Sequence, residues 1–599
     1  MRRRNVDSPE TTLIPSPRGP IAAADGRRCE AGRSRGAAML GAAVVAAAAA
    51  LVVAAAGEAA ARPEARGVRD FCAMVPMRDG TPLATDVYVP RWPRGAYPVI
   101  LVRTPDGKHE VTRLMARYVC RRGFALVVQD VRGRHASPGG PTMVFLHDGW
   151  GEDRDGVDTI RWIARQPWCD GRVAMWGASA IGFLALLAAP DAPPALCAEH
   201  VTMVFSDMYL QAAYQGGALR QELVEGWLRR HGYAEINLRT LLDHHRYDDF
   251  WAQMAPVRQA HRVNTPIVFL AGWHDAFLQG TLDMFEAVES QGGPRARGRC
   301  RLIVGPWSHD DVRRLADPRN AARYPPSGDV VRWFEDHLRG ECGGTARDRA
   351  VHYYVSGDSC DRNLPAHRWR SAEHWPPRAT ETPYYLLADE SLATEPSREP
   401  GSRTYRFDPK NPAPTLGGRN LNLPSGPCDQ RPVESRSDVL LFTGPPLEKP
   451  LEVTGRILAE LFISSDCPDT DFTVKLTDVC PDGRSLLVAD GILRARFRES
   501  FAEEKFLEPG RVYRIPVDLW SASYVFGSGH RLRVAVSSSN APRFEPNPNN
   551  GEPHLGGSNP PRTATNTVYC SEQYPSRIVL PIVRAEEELP GDAVNSARP

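Results

Sequence analysis

From about Phe71 to about Leu338 the chain alternates short, continuous apolar runs with amphipathic segments. "YPVILVRTP", "GFALVVQDV", "GRVAMWGAS", "TPIVFLAGW" and "RCRLIVGPW" each hold a few consecutive apolar residues ended by Gly, Pro or Asp. Such runs predict strands buried on both faces, and their alternation with helices predicts a largely parallel α/β sheet. "DGVDTIRWIARQPW" carries Val157, Ile160, Ile163 and Ala164 on one helical face. Between Ala195 and Val263 the strand rhythm breaks into the helical patterns "ALRQELVEGWLRRHGY" and "TLLDHHRYDDFWAQM". An insertion there predicts a helical cap, at about 195–263, lying over the strand ends. After about Gly344 period-two alternation takes over, in "DFTVKLTDV" and "HRLRVAVSSS", between turns rich in Pro and Gly. That pattern predicts a β sandwich or jelly roll. No Gly/Ser linker separates "VVRWFEDHLRG" from "VHYYVSGDS", so the two halves are expected to share an interface. The expected division is 1–61 for the N-terminal segment, 62–344 for the α/β domain and 345–590 for the β domain.

The N-terminal segment reads as a disordered basic stretch followed by a processing signal. "RRCEAGRSRG" precedes an apolar run from Ala37 to Ala56, and Ala59 and Ala61 make a small-residue cleavage pattern. These are the parts of a signal peptide. The run is also long enough to serve as a membrane anchor, although its alanine content makes it weakly hydrophobic. Export, to the periplasm or the medium, or membrane anchoring is therefore expected, with the cytoplasm as the alternative. A length of 599 residues suits two or three domains. Lys+Arg of 73 against Asp+Glu of 72 gives a net charge of +1. That balance argues against a nucleic-acid partner and for a small-molecule substrate. The 12 cysteines contain no CxxC pair, so neither a zinc site nor a thioredoxin motif is indicated. Most read as buried free thiols, and a few disulfides would be compatible with export. The oligomeric state is not legible.

"MWGASAIGF", Met175 to Phe183, joins an apolar strand to an apolar helix through a serine between glycines. A sharp strand-to-helix turn that holds a nucleophile in a strained backbone needs small neighbours, which Gly177 and Gly182 supply. The spacing G-x-S-x-x-G is one residue longer than the common elbow, and a glycine turn with an N-cap serine is the alternative. An activated serine needs an imidazole and a carboxylate to orient it. Asp275 follows the strand in "VFLAGWHDAF" and His309 follows the next in "LIVGPWSHDD". The order Ser179, Asp275, His309 is that of α/β-hydrolases. His274, Asp310 and Asp311 are competing partners. No H-x-x-x-H or carboxylate-rich loop completes a metal site, so no metal and no cofactor is expected. Asp130 and Arg132 in "QDVRGRHASPGG" read as a structural ion pair.

These segments resemble the cocaine esterase-like (CocE/NonD) hydrolases, related to X-Pro dipeptidyl-peptidases and α-amino acid ester hydrolases. The motifs are "RDGTPLATDVYVP", "QDVRGRHASPG", "WIARQPWCDGRVAMWGAS", "AGWHDAF" and "VGPWSH", continuing through "LEVTGRILAELFISSDCPDTDFTVKLTDV" and "GHRLRVAVSSSNAPRFEPNPNNG". The resemblance implies an α/β-hydrolase fold with a helical cap, followed by a jelly-roll domain. It implies a serine hydrolase with Ser179 as nucleophile, His309 as general base and Asp275 as its orienter. The substrate would be an ester, an amide or a short X-Pro-type peptide. Two positions depart from the family pattern. Ala180 stands where a tyrosine usually follows the nucleophile, and its backbone N–H still serves an oxyanion hole. Asp106, in "RTPDGK", stands where the family carries the tyrosine that donates the other oxyanion hydrogen bond, with His109 as a nearby substitute. Asp106 therefore keeps a second reading open, that of a catalytically impaired relative that binds a ligand or partner.

Overall fold

The computed structural model describes residues 68–583 apart from 92, 94, 111–112, 141–142, 234, 312–329, 341–348 and 362. The apolar run Ala37–Ala56 and the Ala59-x-Ala61 pattern lie outside the described residues. Among the described residues no helix is long and apolar enough to cross a membrane, and the described cysteines are all unpaired.

The continuous apolar runs form one sheet. In chain order its strands are β1 (Val68–Pro76), β2 (Pro82–Pro90), β3 (Tyr97–Thr104), β4 (Ala125–Asp130), β5 (Cys169–Ala178), β6 (Leu196–Thr202), β7 (Ile267–His274), β8 (Arg301–Ser308) and β9 (Val351–Gly357). Pairing runs β1-β2-β4-β3-β5-β6-β7-β8-β9, antiparallel as far as β4 and parallel from there onward. All residues of β3 and β4 are buried, as strands covered by helices on both faces must be. The α-helices of nine or more residues among the described residues are α1 (Arg113–Arg121), α2 (Asp155–Ala164), α3 (Ser179–Ala188), α4 (Gln221–Arg230), α5 (Glu235–Asp243), α6 (Leu278–Gln291) and α7 (Val330–Arg339). The apolar face expected for "DGVDTIRWIA" is observed, with Val157, Ile160 and Ile163 buried in α2.

The cap begins later than residue 195. "LCAEHVT" is strand β6, paired in parallel with β5 and β7, and the cap follows Thr202. Glu199 and His200, both fully or almost fully buried, interrupt the apolar run by which its neighbours are recognised. The cap contains a π-helical turn (Met208–Ala213), a two-residue hairpin, α4 and α5.

The β half packs two sheets around one apolar core. Leu451–Ser465 and Tyr513–Phe526 form a long antiparallel pair. Leu440–Thr443, Arg531–Ser537, Asp471–Val479 and Ser485–Arg494 form the facing four-stranded sheet. Val474, Leu476, Val534 and Val536 point into the core with no exposure, as the alternation predicts. The halves are joined by backbone: the end of β9 pairs in parallel with Tyr524 and Val525.

Candidate active site

Ser179 begins α3 directly after β5, with φ of +54°. A non-glycine residue in the left-handed region is strained, and such strain clusters at functional sites. The two glycines are fitted to each other. A Cβ on Gly177 would meet the backbone of Ile181 and Gly182 at 2.5–2.6 Å, and one on Gly182 would meet Val204 at 2.5 Å and the Gly177 carbonyl at 2.8 Å. The longer G-x-S-x-x-G spacing thus puts the second glycine against the first, one helical turn on. Ala180 lies in the first turn of α3, where backbone N–H groups have no intrahelical acceptor and the helix dipole is positive.

Asp275 and His309 follow the ends of the adjacent strands β7 and β8. His309 Nδ1 lies 2.6 Å from Asp275 Oδ2, and Asp275 Oδ1 accepts the Phe277 N–H at 2.8 Å. Both carboxylate oxygens are held, and the two side chains are 4% and 0% exposed. An ionised carboxylate can only accept, so Nδ1 carries the proton and Nε2 is left as the basic nitrogen. The Phe277 ring stands edge-on to the imidazole at 5.3 Å. Of the competing partners, Asp310 is exposed and His274 is half-buried; the Asp311 side chain is outside the described set.

A cavity of about 50 Å³ opens beside Ser179 and Ala180. Its walls include Val144, Phe145, Phe205, Trp227, Leu228 and Phe277, and among the described residues no charged one lines it. The π-helical turn supplies Met208, Ala212 and Ala213 to the same wall.

Asp106 sits in the loop after β3. Its carboxylate is turned to the cap, with Oδ1 2.7 Å from His231 Nδ1 at the end of α4. The side chain is 10% exposed, so it does not point to solvent. The same junction holds Arg134, which donates to the carbonyls of Pro105 and His231 and lies over the Tyr233 ring at 4.0 Å. His109 is exposed and packs edge-on against His135. The ion pair expected between Arg132 and Asp130 does not form. Arg132 forks onto Asp155 and Asp79, while Asp130 accepts the N–H groups of Lys108 and Ala136.

Two buried arginines that sequence reasoning missed brace the Asp275 turn. Arg220 of the cap donates to the Ala276 carbonyl at 2.9 Å, and burial pushes its pKa down to about 9. Arg419, from the Pro-rich loop of the β half, donates to the carbonyls of Trp273 at 3.2 Å, Leu519 at 3.1 Å and Ser521 at 2.9 Å. Burial pushes its pKa down to about 10.

Residues 79–238 and 225–311 match the X-Pro dipeptidyl-peptidase (S15 family), and residues 346–579 match the X-Pro dipeptidyl-peptidase C-terminal non-catalytic domain. The chain is 34% identical over 581 residues to a cocaine esterase of Rhodococcus sp. (strain MB1 Bresler), covering 85% of this chain and 98% of the relative. Among solved structures, an α-amino acid ester hydrolase superposes with a TM-score of 0.72 at 25% identity, covering 88% and 99% of the two chains. An aminopeptidase from a marine sediment Thaumarchaeota archaeon superposes with a TM-score of 0.71 at 25% identity, covering 88% and 98%.

Proposed function

The chain belongs to the CocE/NonD hydrolases of the S15 serine-hydrolase family, and on that premise we propose that it is an acyl esterase selective for short, uncharged acyl groups. The wall of the Ser179 cavity carries this reading. Its apolar side chains offer no partner to an ammonium or carboxylate, and an unpaired charge is costly to bury. A cavity of about 50 Å³ is far smaller than drug-sized ligand sites of roughly 300–1,000 Å³, which suits a short acyl chain.

In the proposed mechanism His309 Nε2 takes the proton from Ser179 Oγ as that oxygen attacks the ester carbonyl. Asp275 holds the imidazole in the tautomer that leaves Nε2 basic and stabilises the imidazolium that forms. The Ala180 N–H, at the start of α3, donates to the developing oxyanion. The imidazolium then protonates the departing alkoxide, and water repeats the sequence to release the acid from Ser179. The observation favouring the second reading, a ligand-binding relative with impaired catalysis, is the Asp106 carboxylate, an acceptor in the loop that follows β3. We also infer export, supported by the basic stretch, the apolar run and the Ala59-x-Ala61 pattern.

The test compares 4-nitrophenyl acetate and butyrate with the 4-nitrophenyl ester of phenylglycine and an X-Pro 4-nitroanilide. Higher kcat/KM on the uncharged esters is expected. A preference for either N-terminally charged substrate would reject the acyl assignment, and no turnover of any of them would favour the binding reading.

A further inference from the structure

The peptide group between Ala276 and Phe277 is gripped from both sides by charged side chains. Its N–H donates to Asp275 Oδ1 at 2.8 Å, and its carbonyl accepts from Arg220 Nη2 at 2.9 Å. The other carboxylate oxygen, Oδ2, stands 2.6 Å from His309 Nδ1. One hydrogen-bonded line therefore runs from a cap arginine through a single peptide and the acid to the imidazole. The peptide dipole lies along it in the favourable sense, with the carbonyl at the cation and the N–H at the anion. Bonds in such a chain polarise one another, so the cation strengthens the N–H as a donor to the carboxylate.

Arg220 has no carboxylate to itself. It is 1% exposed, both of its side-chain hydrogen bonds go to carbonyls, those of Ala276 and Gln211, and its Nε has no partner among the described residues. The rings of Trp520, from the β half, and Phe277 lie 5.5 and 5.9 Å from the guanidinium, within the range at which an aromatic ring attracts a cation. A buried cation without an ion-pair partner destabilises a fold, but its field acts on neighbouring charges with little screening by solvent. Those charges are Glu222 on α4, Asp275 in the acid turn, and Asp490 and Arg543 in the β half. Asp490 is already shared by Arg543 and Arg419. Asp275 is completely buried and is held by one N–H and one imidazole.

We propose that Arg220 is a positioning residue of the Ser179 site, which through the 276–277 peptide keeps Asp275 ionised and aimed at His309, so that the base is complete only with the cap seated. The inference rests on the assignment of Ser179, His309 and Asp275 as the reacting groups. The second hydrogen bond of Arg220, to the Gln211 carbonyl, fastens the π-helical turn that gives Met208, Ala212 and Ala213 to the Ser179 cavity. One guanidinium thus ties the acid turn to the wall of the acyl pocket. A cation beside the imidazole–carboxylate pair opposes proton uptake by it, so loss of the charge should raise the pH at which the base becomes available.

The test follows the rate of fluorophosphonate labelling of Ser179 in the full chain across the pH range in which a histidine titrates. The parent is compared with Arg220→Lys, Arg220→Gln and Arg220→Met, and kcat/KM for 4-nitrophenyl acetate is measured over the same range. Arg220→Lys, which keeps the charge, should retain the acid limb of the parent. Both neutral variants should move that limb up by about half a pH unit or more, slowing reaction at neutral pH about threefold or more. Arg220→Gln keeps a donor for the Ala276 carbonyl, so it separates the charge from the brace and serves if Arg220→Met does not fold. A limb unmoved in the neutral variants, or moved as far in Arg220→Lys, would overturn the proposal while leaving a labelled parent as an esterase. A parent unlabelled at Ser179 would overturn the esterase reading and this inference with it.

Discussion

Both halves of the chain bury paired charges, and they differ in where those charges sit. In the α/β half Arg103–Asp148 and Arg132–Asp155 are buried pairs, and Asp275 is completely buried against His309 just past the ends of two adjacent strands. In the β half Arg494 pairs with Asp471 at 3.0 Å and Arg496 with Asp469 at 2.8 Å, while Asp490 is shared by Arg543 at 2.6 Å and Arg419 at 3.7 Å. The Arg494 guanidinium forks onto Asp471 in the geometry that offsets desolvation. The α/β half thus places an imidazole–carboxylate pair at strand ends, whereas the β half supplies a buried polar frame. The two meet at Arg419, which reaches from that frame to the carbonyl two residues before Asp275.

If this division is correct, the largest losses follow from the strand ends. Ser179→Ala should lower kcat on a short acyl ester by about 10⁴-fold or more, with the thermal midpoint little changed. Asp275→Asn should cost about the same order, because the amide favours the wrong imidazole tautomer. Asp310→Asn, at an exposed position, should leave kcat within about twofold. Steady-state kinetics of the three proteins would show whether Asp275 or Asp310 is the carboxylate that matters.

Breaking the frame should act on stability first. Arg419→Met removes three carbonyl contacts and leaves Asp490 with one cation fewer. A loss of about 3 kcal/mol is expected from such a buried site, read by denaturant unfolding, with kcat falling about tenfold as the Asp275 turn loosens. Full stability with reduced kcat would instead place Arg419 in the chemistry itself.

The smallest effect should come from the cap junction. Asp106→Asn removes the charge beside His231 and should cost about 1 kcal/mol or less, with a rise of a few-fold in KM. A large rise in kcat would show that the carboxylate, despite its turn toward the cap, opposes the oxyanion.

The sequence disclosed most where local pattern and burial coincide. "PVILVRT" and "IVFLAGW" are buried on both faces, so their apolar runs are unbroken and the parallel sheet is legible. Strand β6 hid because Glu199 and His200 are buried polar residues within it. The Asp275–His309 contact was legible because both residues follow the ends of adjacent strands of one sheet. Arg419 and Arg220 were not, since their partners lie 146 and 56 residues away in the chain and no local spacing encodes such contacts. The orientation of Asp106 was also hidden, because it depends on His231 from the inserted cap.

The most direct test is active-site labelling by a fluorophosphonate, located by peptide mass spectrometry. Only a serine whose proton is taken by a neighbouring base reacts readily. One phosphonyl adduct on Ser179 is expected, lost in Ser179→Ala and strongly slowed in Asp275→Asn. A protein that stays unlabelled under conditions that saturate a known serine esterase, or that is labelled at another residue, would contradict the account.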